Sequence, residues 1–296
     1  MVIVFLPSMP PTFREALIYA PFPRQWEFIP CMNNPSFISP PPPQYDAAHY
    51  LQALQSQGFA PLAAATVQEL AGVQADDLQT LAQGWNDLPA DQYLRDGGKY
   101  RERRHASFVI AAQAGLAPEN AENAVKIVPH RAHWQSTDYN ALHGGIERWF
   151  EPVQASSLHN RAWNRLLAWL AQVASSIKGQ QDWYAEAHQF RILTHSGIGG
   201  IGRPTPEGAH RDGVDLVAVF LLGRHQIKGG ETRVFDARGS HGERFTLAEP
   251  WSVLLLDDNR VIHESTPIQP AEGCDAGWRD TLVVTLRAGG FQASTV

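Results

Sequence analysis

The sequence predicts a mainly β fold in which helices pack outside a barrel or sandwich of short strands. Beyond residue 186, short apolar and β-branched runs are separated by glycine, proline and aspartate. No regular alternation of strand and helix follows residue 180, which argues against a doubly wound parallel sheet. Helical patterns are instead concentrated before residue 180. We therefore expect an all-β core with helical decoration.

The elements follow from their residue patterns in chain order. Apolar residues at helical spacing predict helices over 46–56, 67–85 and 157–178. In the third, Ser157 is a candidate N-cap and Gly179 a natural stop. The run 101–111 is a strand candidate. The later β-type runs predict strands over 187–194, 216–222, 232–235, 252–256, 261–264 and 281–287.

The composition excludes several classes of protein and partner. Of 296 residues, 44% are hydrophobic and 18% charged, which excludes a disordered chain, a coiled coil and a collagen-like repeat. No apolar run approaches the length of a membrane span. The net charge of -6 argues against nucleic acid or an anionic membrane as a partner. The two cysteines, Cys31 and Cys274, cannot build a disulfide framework or a four-thiolate zinc site, so we expect a cytoplasmic protein.

The first 45 residues form a proline-rich segment that we expect to be an arm. They hold eleven of the 21 prolines, including the run at 40–43. Proline fixes φ and removes a hydrogen-bond donor, which favours an irregular or polyproline-like conformation. An arm packed on the surface, a partly disordered extension, a lid and an oligomer contact all remain open. Residues 46–296 are expected to form one domain.

His210 and Asp212 lie two positions apart in the run PEGAHRDGVDLVAVFLLG. On an extended chain, side chains at i and i+2 point to the same face. An imidazole and a carboxylate placed in this way are two of the three ligands of the 2-His-1-carboxylate triad of non-haem Fe(II). His263, 51 residues after Asp212, is the candidate for the third ligand. Taken alone, His-x-Asp is a weak signal, and it favours a solvent-facing polar pair on a strand edge.

Arg279 and Thr281 repeat the i, i+2 spacing shortly after His263. A 2-oxo dicarboxylate held on iron by its keto-acid end needs a cation and a hydroxyl group for its far carboxylate. An arginine fork and a threonine on one strand face supply both. A surface cation is the alternative for Arg279. The ordered set of His-x-Asp, distant histidine and Arg-x-Thr is more specific than any of its parts.

These runs resemble the bacterial 2-oxoglutarate/Fe(II)-dependent dioxygenases of the L-isoleucine dioxygenase type, which are free amino-acid hydroxylases. The resemblance is carried by HRDGVDLVAVFLLGRHQIKGGETRVFD, LLLDDNRVIHESTPI and RDTLVV. Two upstream runs, YLRDGGKYRERRHASF and WQSTDYNALHGGIERWFEP, are also similar to that family. The resemblance covers about residues 85–290 and leaves out the proline-rich arm.

The resemblance implies a double-stranded β-helix (jelly-roll, cupin-like) core and a requirement for Fe(II), 2-oxoglutarate and O2. It implies that His210, Asp212 and His263 bind the iron, and that Arg279 binds the 2-oxoglutarate carboxylate, with Thr281 beside it. The implied reaction hydroxylates a small free amino acid, typically aliphatic, while 2-oxoglutarate is converted to succinate and CO2. A halogenating relative would need a small residue in place of Asp212, so hydroxylation is favoured.

Substrate-binding candidates come from segments near these motifs. A basic cluster over 99–105 suggests that an arginine holds the carboxylate of an amino acid, although a solvated basic face is equally compatible. Acidic side chains in the later segments are candidates for holding its ammonium group. The full set of candidates is Tyr100, Arg104, His133, Trp134, Asp215 and Glu231.

Two other functions remain open on the sequence. One is a dioxygenase that acts on a larger or carrier-bound secondary metabolite. The other is a non-catalytic stress-response protein that binds metal and 2-oxoglutarate on the same barrel. The expected partner is a small-molecule amino-acid substrate, and a homodimer is also compatible with the sequence.

Overall fold

The computed structural model describes residues 40–112 and 123–294, and within them it has five helices and twelve strands. The helices are α1 Tyr50–Gln57, α2 Ala64–Ala71, α3 Ala75–Ala82, α4 Ala155–Leu158 and α5 Arg161–Lys178. The strands are β1 Phe59–Leu62, β2 Arg101–Ile110, β3 Val125–Ile127, β4 Trp183–His195, β5 Leu216–His225, β6 Ile227–Gly229, β7 Thr232–Asp236, β8 Gly242–Phe245, β9 Val253–Asp257, β10 Val261–Ser265, β11 Ile268–Pro270 and β12 Ala276–Ala288.

Seven strands form one large antiparallel sheet in the order β1-β9-β5-β12-β4-β2-β3. Its central strands β12 and β4 stay in register along their whole length, from Ala276 opposite His195 to Ala288 opposite Trp183. Two smaller sheets, β10-β7-β8 and β11-β6, complete the β structure of the described residues. The predicted jelly-roll core with helices outside it is confirmed.

The two faces of the large sheet have different partners because side chains alternate along each strand. In β12, Leu282 and Val284 face the helices and belong to the main hydrophobic core. Thr281 and Val283, which alternate with them along the strand, line a cavity on the opposite face. The sheet therefore separates an apolar layer, which the helices cover, from the cavity on its other face.

Helix α5 supplies much of the apolar layer. Its stripe includes Trp163, Leu166 and Leu170, each at most 1% exposed. Full burial of one such side chain contributes roughly 1.5–3 kcal/mol. The helix thus packs against the large sheet on the side opposite the cavity.

The third predicted helix is confirmed, with a shifted start. Asn160 is the N-cap of α5, since its side chain accepts a hydrogen bond of 2.8 Å from the backbone N–H of Ala162. Ser157, the predicted cap, lies instead in the short helix α4. The helix ends at Gly179 as predicted, where the glycine N–H donates to the Ser175 carbonyl.

The predicted helix over 67–85 is two helices, α2 and α3, followed by a 3-10 turn at Gln83–Trp85. The break lies at Gly72, which adopts a left-handed φ of 64° and caps α2 through a bond to the Gln68 carbonyl. Glycine accepts this conformation without steric cost. The predicted helix over 46–56 is α1 and begins a few residues later than expected.

Every predicted strand is present, although its ends differ by up to five residues, and the candidate over 101–111 is β2. The sequence pattern missed β1, β3, β6, β8 and β11, which have three or four residues each. Strands this short carry too few residues to display a period of two.

The predicted proline-rich arm lies mostly outside the described residues, which begin at residue 40. Its role and the domain boundary at residue 46 stay predictions. None of the described helices combines the length and the apolar character that a membrane crossing requires.

Candidate active site

A cavity lies on the face of the large sheet that the helices leave free. Its walls come from β2, β4 and β12, from β10 of the smaller sheet, and from the segment 204–214 that precedes β5. Polar side chains of these elements point into it because strand alternation directs every second residue to this face.

His210, Asp212 and His263 converge in this cavity. The backbones of His210 and His263 pair in antiparallel fashion, and the N–H of each donates to the carbonyl of the other over 3.0 Å. The Oδ1 atom of Asp212 lies 3.8 Å from Nε2 of His210, and its Oδ2 atom lies 3.7 Å from Nε2 of His263. Chain reversal between β5 and β10 therefore brings the distant histidine beside the His-x-Asp pair.

The three side chains fit a metal ion. One ligand atom from each lies within 4.8 Å of the other two. Two donors that each sit about 2.1 Å from one ion are separated by at most about 4.2 Å, so the 3.7 and 3.8 Å pairs meet that requirement. Two imidazoles and one carboxylate are the donor set of non-haem Fe(II) sites.

The ring of His210 is oriented by a turn that precedes it. Its Nδ1 donates to the carbonyl of Gly208 over 2.9 Å, which leaves the Nε2 lone pair facing the cavity. Gly208 adopts a φ of 81°, and its N–H donates to the Thr205 carbonyl over 3.0 Å. Burial, aided by the nearby His210, lowers the pKa of His263 well below its usual value. His263 is thus held neutral, which is the form that binds metals.

Asp212 is oriented by Gln135, whose Nε2 donates to Oδ1 of the carboxylate over 3.1 Å. The amide oxygen of Gln135 accepts from Nδ2 of Asn140 at 3.2 Å and from Nη2 of Arg148 at 3.0 Å. These bonds fix which end of the amide faces Asp212. The carboxylate therefore keeps Oδ2 available on the side of His263.

A second carboxylate, that of Asp258, anchors the segment that carries Asp212. It accepts the backbone N–H groups of Asp212, Gly213 and Val214 at 3.0, 2.8 and 3.1 Å. Burial, together with the Asp212 charge, raises the pKa of Asp258 to about 7. From the other side, Nε2 of Gln292 donates to the carbonyls of Asp212 and Gly213. The ligand segment is thus fixed before any metal binds.

Arg279 and Thr281 lie on the cavity face of β12 and are each 3% exposed. The Nε and Nη2 atoms of Arg279 are buried without a hydrogen-bond partner. Burial and the neighbouring Arg224 cation lower the pKa of Arg279 to about 9. A buried guanidinium with unused donors is costly unless an anion joins it. The pair is therefore suited to a carboxylate.

Three more arginines contribute unused donors to the same cavity. Nη2 of Arg101, Nε of Arg103 and Nε of Arg148 are buried without partners. Asp91 is shared by two of them, at 2.7 Å from Nε of Arg101 and 3.7 Å from Nη1 of Arg103. This region therefore offers positive charge and free N–H groups to an anionic ligand.

A second group of histidines, His105, His133 and His188, also has ring nitrogens within 4.8 Å of one another. Glu186 joins it, with Oε1 at 3.2 Å from Nε2 of His105 and Oε2 at 3.3 Å from Nδ1 of His133. All four side chains are buried. By residue type alone, this group is a competitor for the metal.

Its surroundings are unsuited to a metal ion. Nη2 of Arg103 lies 2.6 Å from Nδ1 of His188, so the guanidinium uses that nitrogen as its acceptor. Arg131 forms an ion pair with Glu186 at 3.0 Å, which compensates the charge of that carboxylate. The rings of His105 and His188 stack at 4.7 Å between centroids. Nearby guanidinium charges repel a cation, which leaves His210, Asp212 and His263 as the better site.

Of the six residues predicted to bind substrate, the structure brings His133 into the cavity. Arg104 points to the other face of β2 and donates to the carbonyls of Asp87 and Pro152. Strand alternation is the reason, since Arg101 and Arg103 occupy alternate, cavity-facing positions of β2 and Arg104 follows one position out of phase with them.

The remaining predicted substrate residues also lie outside the cavity lining. Tyr100 donates to Oδ2 of Asp96 over 2.6 Å, and Trp134 is half-buried elsewhere. Asp215 accepts the N–H of Ala288. Glu231 pairs with Arg233 at 3.0 Å, so its charge is already compensated.

Sequence reasoning missed several residues that shape the site, chiefly Glu207, Gln135 and Asp258. Gln135 and Asp258 act through contacts between segments that are distant in sequence, and no local sequence pattern predicts these contacts. Glu207 carried a signal, since it lies three residues before His210 in the same motif.

Comparisons with known proteins agree with this geometry. The sequence profile of the family described as 2OG-Fe dioxygenase matches residues 82–285. Among solved structures, a BsmA homologue from Methylobium petroleophilum is 49% identical and superimposes with a TM-score of 0.76, covering 86% of this chain and 97% of that one. A comparison with curated proteins finds no match.

Two more distant structures share the fold. IDO from Bacillus thuringiensis is 18% identical, with a TM-score of 0.63 over 83% of this chain and 99% of that one. The Fe(II)/(alpha)ketoglutarate-dependent dioxygenase TqaL is 17% identical, with a TM-score of 0.59 over 82% and 88% of the two chains.

Proposed function

Because the chain belongs to the 2OG-Fe dioxygenase family, we propose that it hydroxylates a small free amino acid. Family membership makes Fe(II), 2-oxoglutarate and O2 its cofactors. The observation that carries the substrate proposal is the group of buried arginines with unused donors in the same cavity as the metal triad.

His210, Asp212 and His263 would hold the iron, and Arg279 with Thr281 would hold the far carboxylate of 2-oxoglutarate. When bound, Fe(II) and 2-oxoglutarate activate O2 to hydroxylate a C–H bond, with release of succinate and CO2. The chain positions both groups and keeps water away from them. The donors left unused on Arg279 and its burial support this role.

Strand register separates two arginine positions in the cavity. Ile192 of β4 lies opposite Arg279 of β12 on one side and opposite Arg101 of β2 on the other. Arg279 and Arg101 are thus two strands apart, or about 9.6 Å at the usual spacing. One small dicarboxylate on the metal cannot hydrogen-bond fully to the arginines at both positions. The β2 arginines therefore remain available to bind the substrate carboxylate.

The guanidinium of Arg103 is preorganised for this task. It lies 3.6 Å from the ring centroid of Phe150 and 4.4 Å from that of Phe190. Such packing fixes its plane and leaves its edge for hydrogen bonds. A carrier-bound amino acid has a neutral thioester in place of the carboxylate, and it would leave buried guanidinium groups unpaired. This favours a free substrate over a tethered one.

Apolar residues supply the rest of the wall. Ile192, Val214, Val219 and Val283 line the cavity together with the polar groups. Small-molecule sites commonly combine such apolar walls with a few placed polar groups. The combination suits an amino acid with an aliphatic side chain.

The test is an incubation of the Fe(II)-loaded protein with 2-oxoglutarate, O2 and a panel of free amino acids, each matched by its amide and its N-acetyl form. We expect a product one oxygen heavier from at least one free aliphatic amino acid, with succinate formed in step. Oxygenation of the amides alone, or no oxygenated product from any free amino acid, would contradict the proposal.

A further inference from the structure

Glu207 is an acidic side chain in the cavity that the iron and 2-oxoglutarate sites leave unused. It precedes Gly208 in the turn that orients His210, so the same local structure positions both residues. Its side chain is 13% exposed, and its Oε1 atom lies 3.4 Å from Nε2 of His210. Glu207 thus contacts the candidate metal centre directly.

The second oxygen of Glu207, Oε2, is buried and has no hydrogen-bond partner. Among ion pairs of the described residues, His210 is the partner of Glu207. The Nε2 atom of His210 is the one that faces the metal position, and in that role it carries no proton to donate. The carboxylate is therefore left without a donor when metal binds, and a buried carboxylate without a donor is costly.

Two kinds of cation can satisfy this carboxylate: the metal itself or a cationic group of a ligand. The 2-His-1-carboxylate triad leaves open positions on the metal for co-substrate and O2. A fourth protein ligand would fill one of the positions that the proposed reaction needs. A cationic ligand group satisfies Glu207 and leaves the metal positions open.

The opposite charge lies in the same cavity. Arg101, Arg103 and Arg148 are at least nine-tenths buried, and each has a guanidinium nitrogen without a partner. Gln135 links Arg148 to Asp212 through two hydrogen bonds, so the arginine group begins one side chain away from the metal ligands. A carboxylate donor site and a guanidinium site in one pocket match the two charges of a zwitterion.

We propose that Glu207 binds the protonated amino group of the substrate beside the metal and so restricts the protein to substrates with a free ammonium group. This inference rests on the proposed amino-acid hydroxylase function. The arginines bind the carboxylate of the substrate, and Glu207 binds its ammonium group. N-acylated and 2-hydroxy analogues of the same carbon skeleton therefore bind more weakly than the amino acid.

Binding of ligands to the Co(II)-loaded protein with 2-oxoglutarate tests the role of Glu207 without turnover. The ligands are L-isoleucine, L-leucine and L-valine, and the 2-hydroxy acid that corresponds to each. Calorimetry compares the wild type with Glu207→Gln, and Glu272→Gln in an exposed loop is the matched control. In Glu207→Gln, we expect amino-acid affinity to fall roughly 10- to 100-fold, the size for loss of a charge-assisted hydrogen bond. Affinity for the 2-hydroxy acids and for Co(II) should change less than about threefold.

Two results would overturn the role of Glu207. A loss of Co(II) affinity comparable to that in His263→Ala would make Glu207 a metal ligand. An unchanged preference for amino acids over 2-hydroxy acids in Glu207→Gln would remove it from substrate binding, even if the wild type hydroxylates amino acids.

Failure of the proposed function gives a different pattern. If no amino acid binds the wild type, n-butylammonium is the probe for the Glu207 site. Binding of this amine to the wild type and its loss in Glu207→Gln would support the carboxylate site while the amino-acid function fails. Absence of both amino-acid and amine binding would overturn the Glu207 inference.

Discussion

His210 and His263 exchange two backbone hydrogen bonds of 3.0 Å, which joins the segment before β5 to strand β10 at the candidate metal centre. Residues paired in this way are held at a fixed separation, and their side chains project from the same face. The two imidazoles are thus positioned by the backbone, and the metal does not have to assemble them.

We predict one divalent metal ion per chain, bound by His210, Asp212 and His263. His263→Ala should abolish stoichiometric Co(II) binding, because two remaining ligands cannot complete the triad. His133→Ala, in the second histidine group, should leave one ion per chain. Metal analysis after dialysis measures both variants. Two ions in the wild type, or loss of the ion in His133→Ala alone, would place a metal ion in the second histidine group and contradict the prediction.

We predict that Asp258→Asn weakens metal binding by roughly 10- to 100-fold, the range for residues that orient metal ligands. Asparagine has one oxygen, whereas Asp258 accepts three backbone N–H groups from the ligand segment. Asp257→Asn is the matched control, since that buried neighbour pairs with Lys178 away from the metal. Co(II) titration followed by absorbance compares the two, and equal metal affinities would contradict the anchoring role.

We predict that Arg279→Ala raises the KM for 2-oxoglutarate roughly 10-fold or more, because the substitution removes a charge-assisted hydrogen bond to the far carboxylate. Arg279→Lys should recover part of the affinity, since it keeps the charge but not the fork. Steady-state kinetics with varied 2-oxoglutarate measures the effect. An unchanged KM in Arg279→Ala would remove this residue from the co-substrate site.

The buried histidine group should make stability depend on pH. Burial lowers the pKa of His133 from 6.5 to about 4 and also lowers the pKa values of His105 and His188. Between about pH 4 and pH 6.5, the unfolded chain therefore binds more protons than the folded chain. The contribution of His133 is complete above pH 6.5 and is lost as the pH falls towards 4.

Between pH 7 and pH 5, His133 alone should account for about 2 kcal/mol of lost unfolding free energy. Urea unfolding of the wild type and of His133→Gln at both pH values measures this. The variant should lose less stability than the wild type on acidification. An equal loss in both proteins would show that His133 is not held neutral in the folded state.

Much of the fold follows from local sequence pattern. The apolar stripe of α5 and the long strands β4, β5 and β12 were predictable, because each runs long enough to display its period. The break at Gly72 was not, since a helical pattern continues on both sides of a glycine. The three- and four-residue strands are defined by their partners rather than by their own residues.

In the candidate site, too, some residues follow from local sequence pattern and others do not. His210 and Asp212 share a local motif, and His263 lies beside them in space, as the predicted triad requires. Arg104 lies outside the cavity because one residue of strand phase decides which side of β2 faces it. Gln135 and Asp258 reach Asp212 through the tertiary structure alone, so no spacing in the sequence could indicate them.

Coupled turnover tests the iron assignment most directly. Succinate and oxygenated product are measured together for the wild type, Asp212→Ala and His263→Ala, each with Fe(II), 2-oxoglutarate and the best amino acid of the panel. We predict equimolar succinate and product from the wild type and no substrate-coupled succinate from either variant. Wild-type coupled turnover in either variant would contradict the assignment of His210, Asp212 and His263 as the iron ligands.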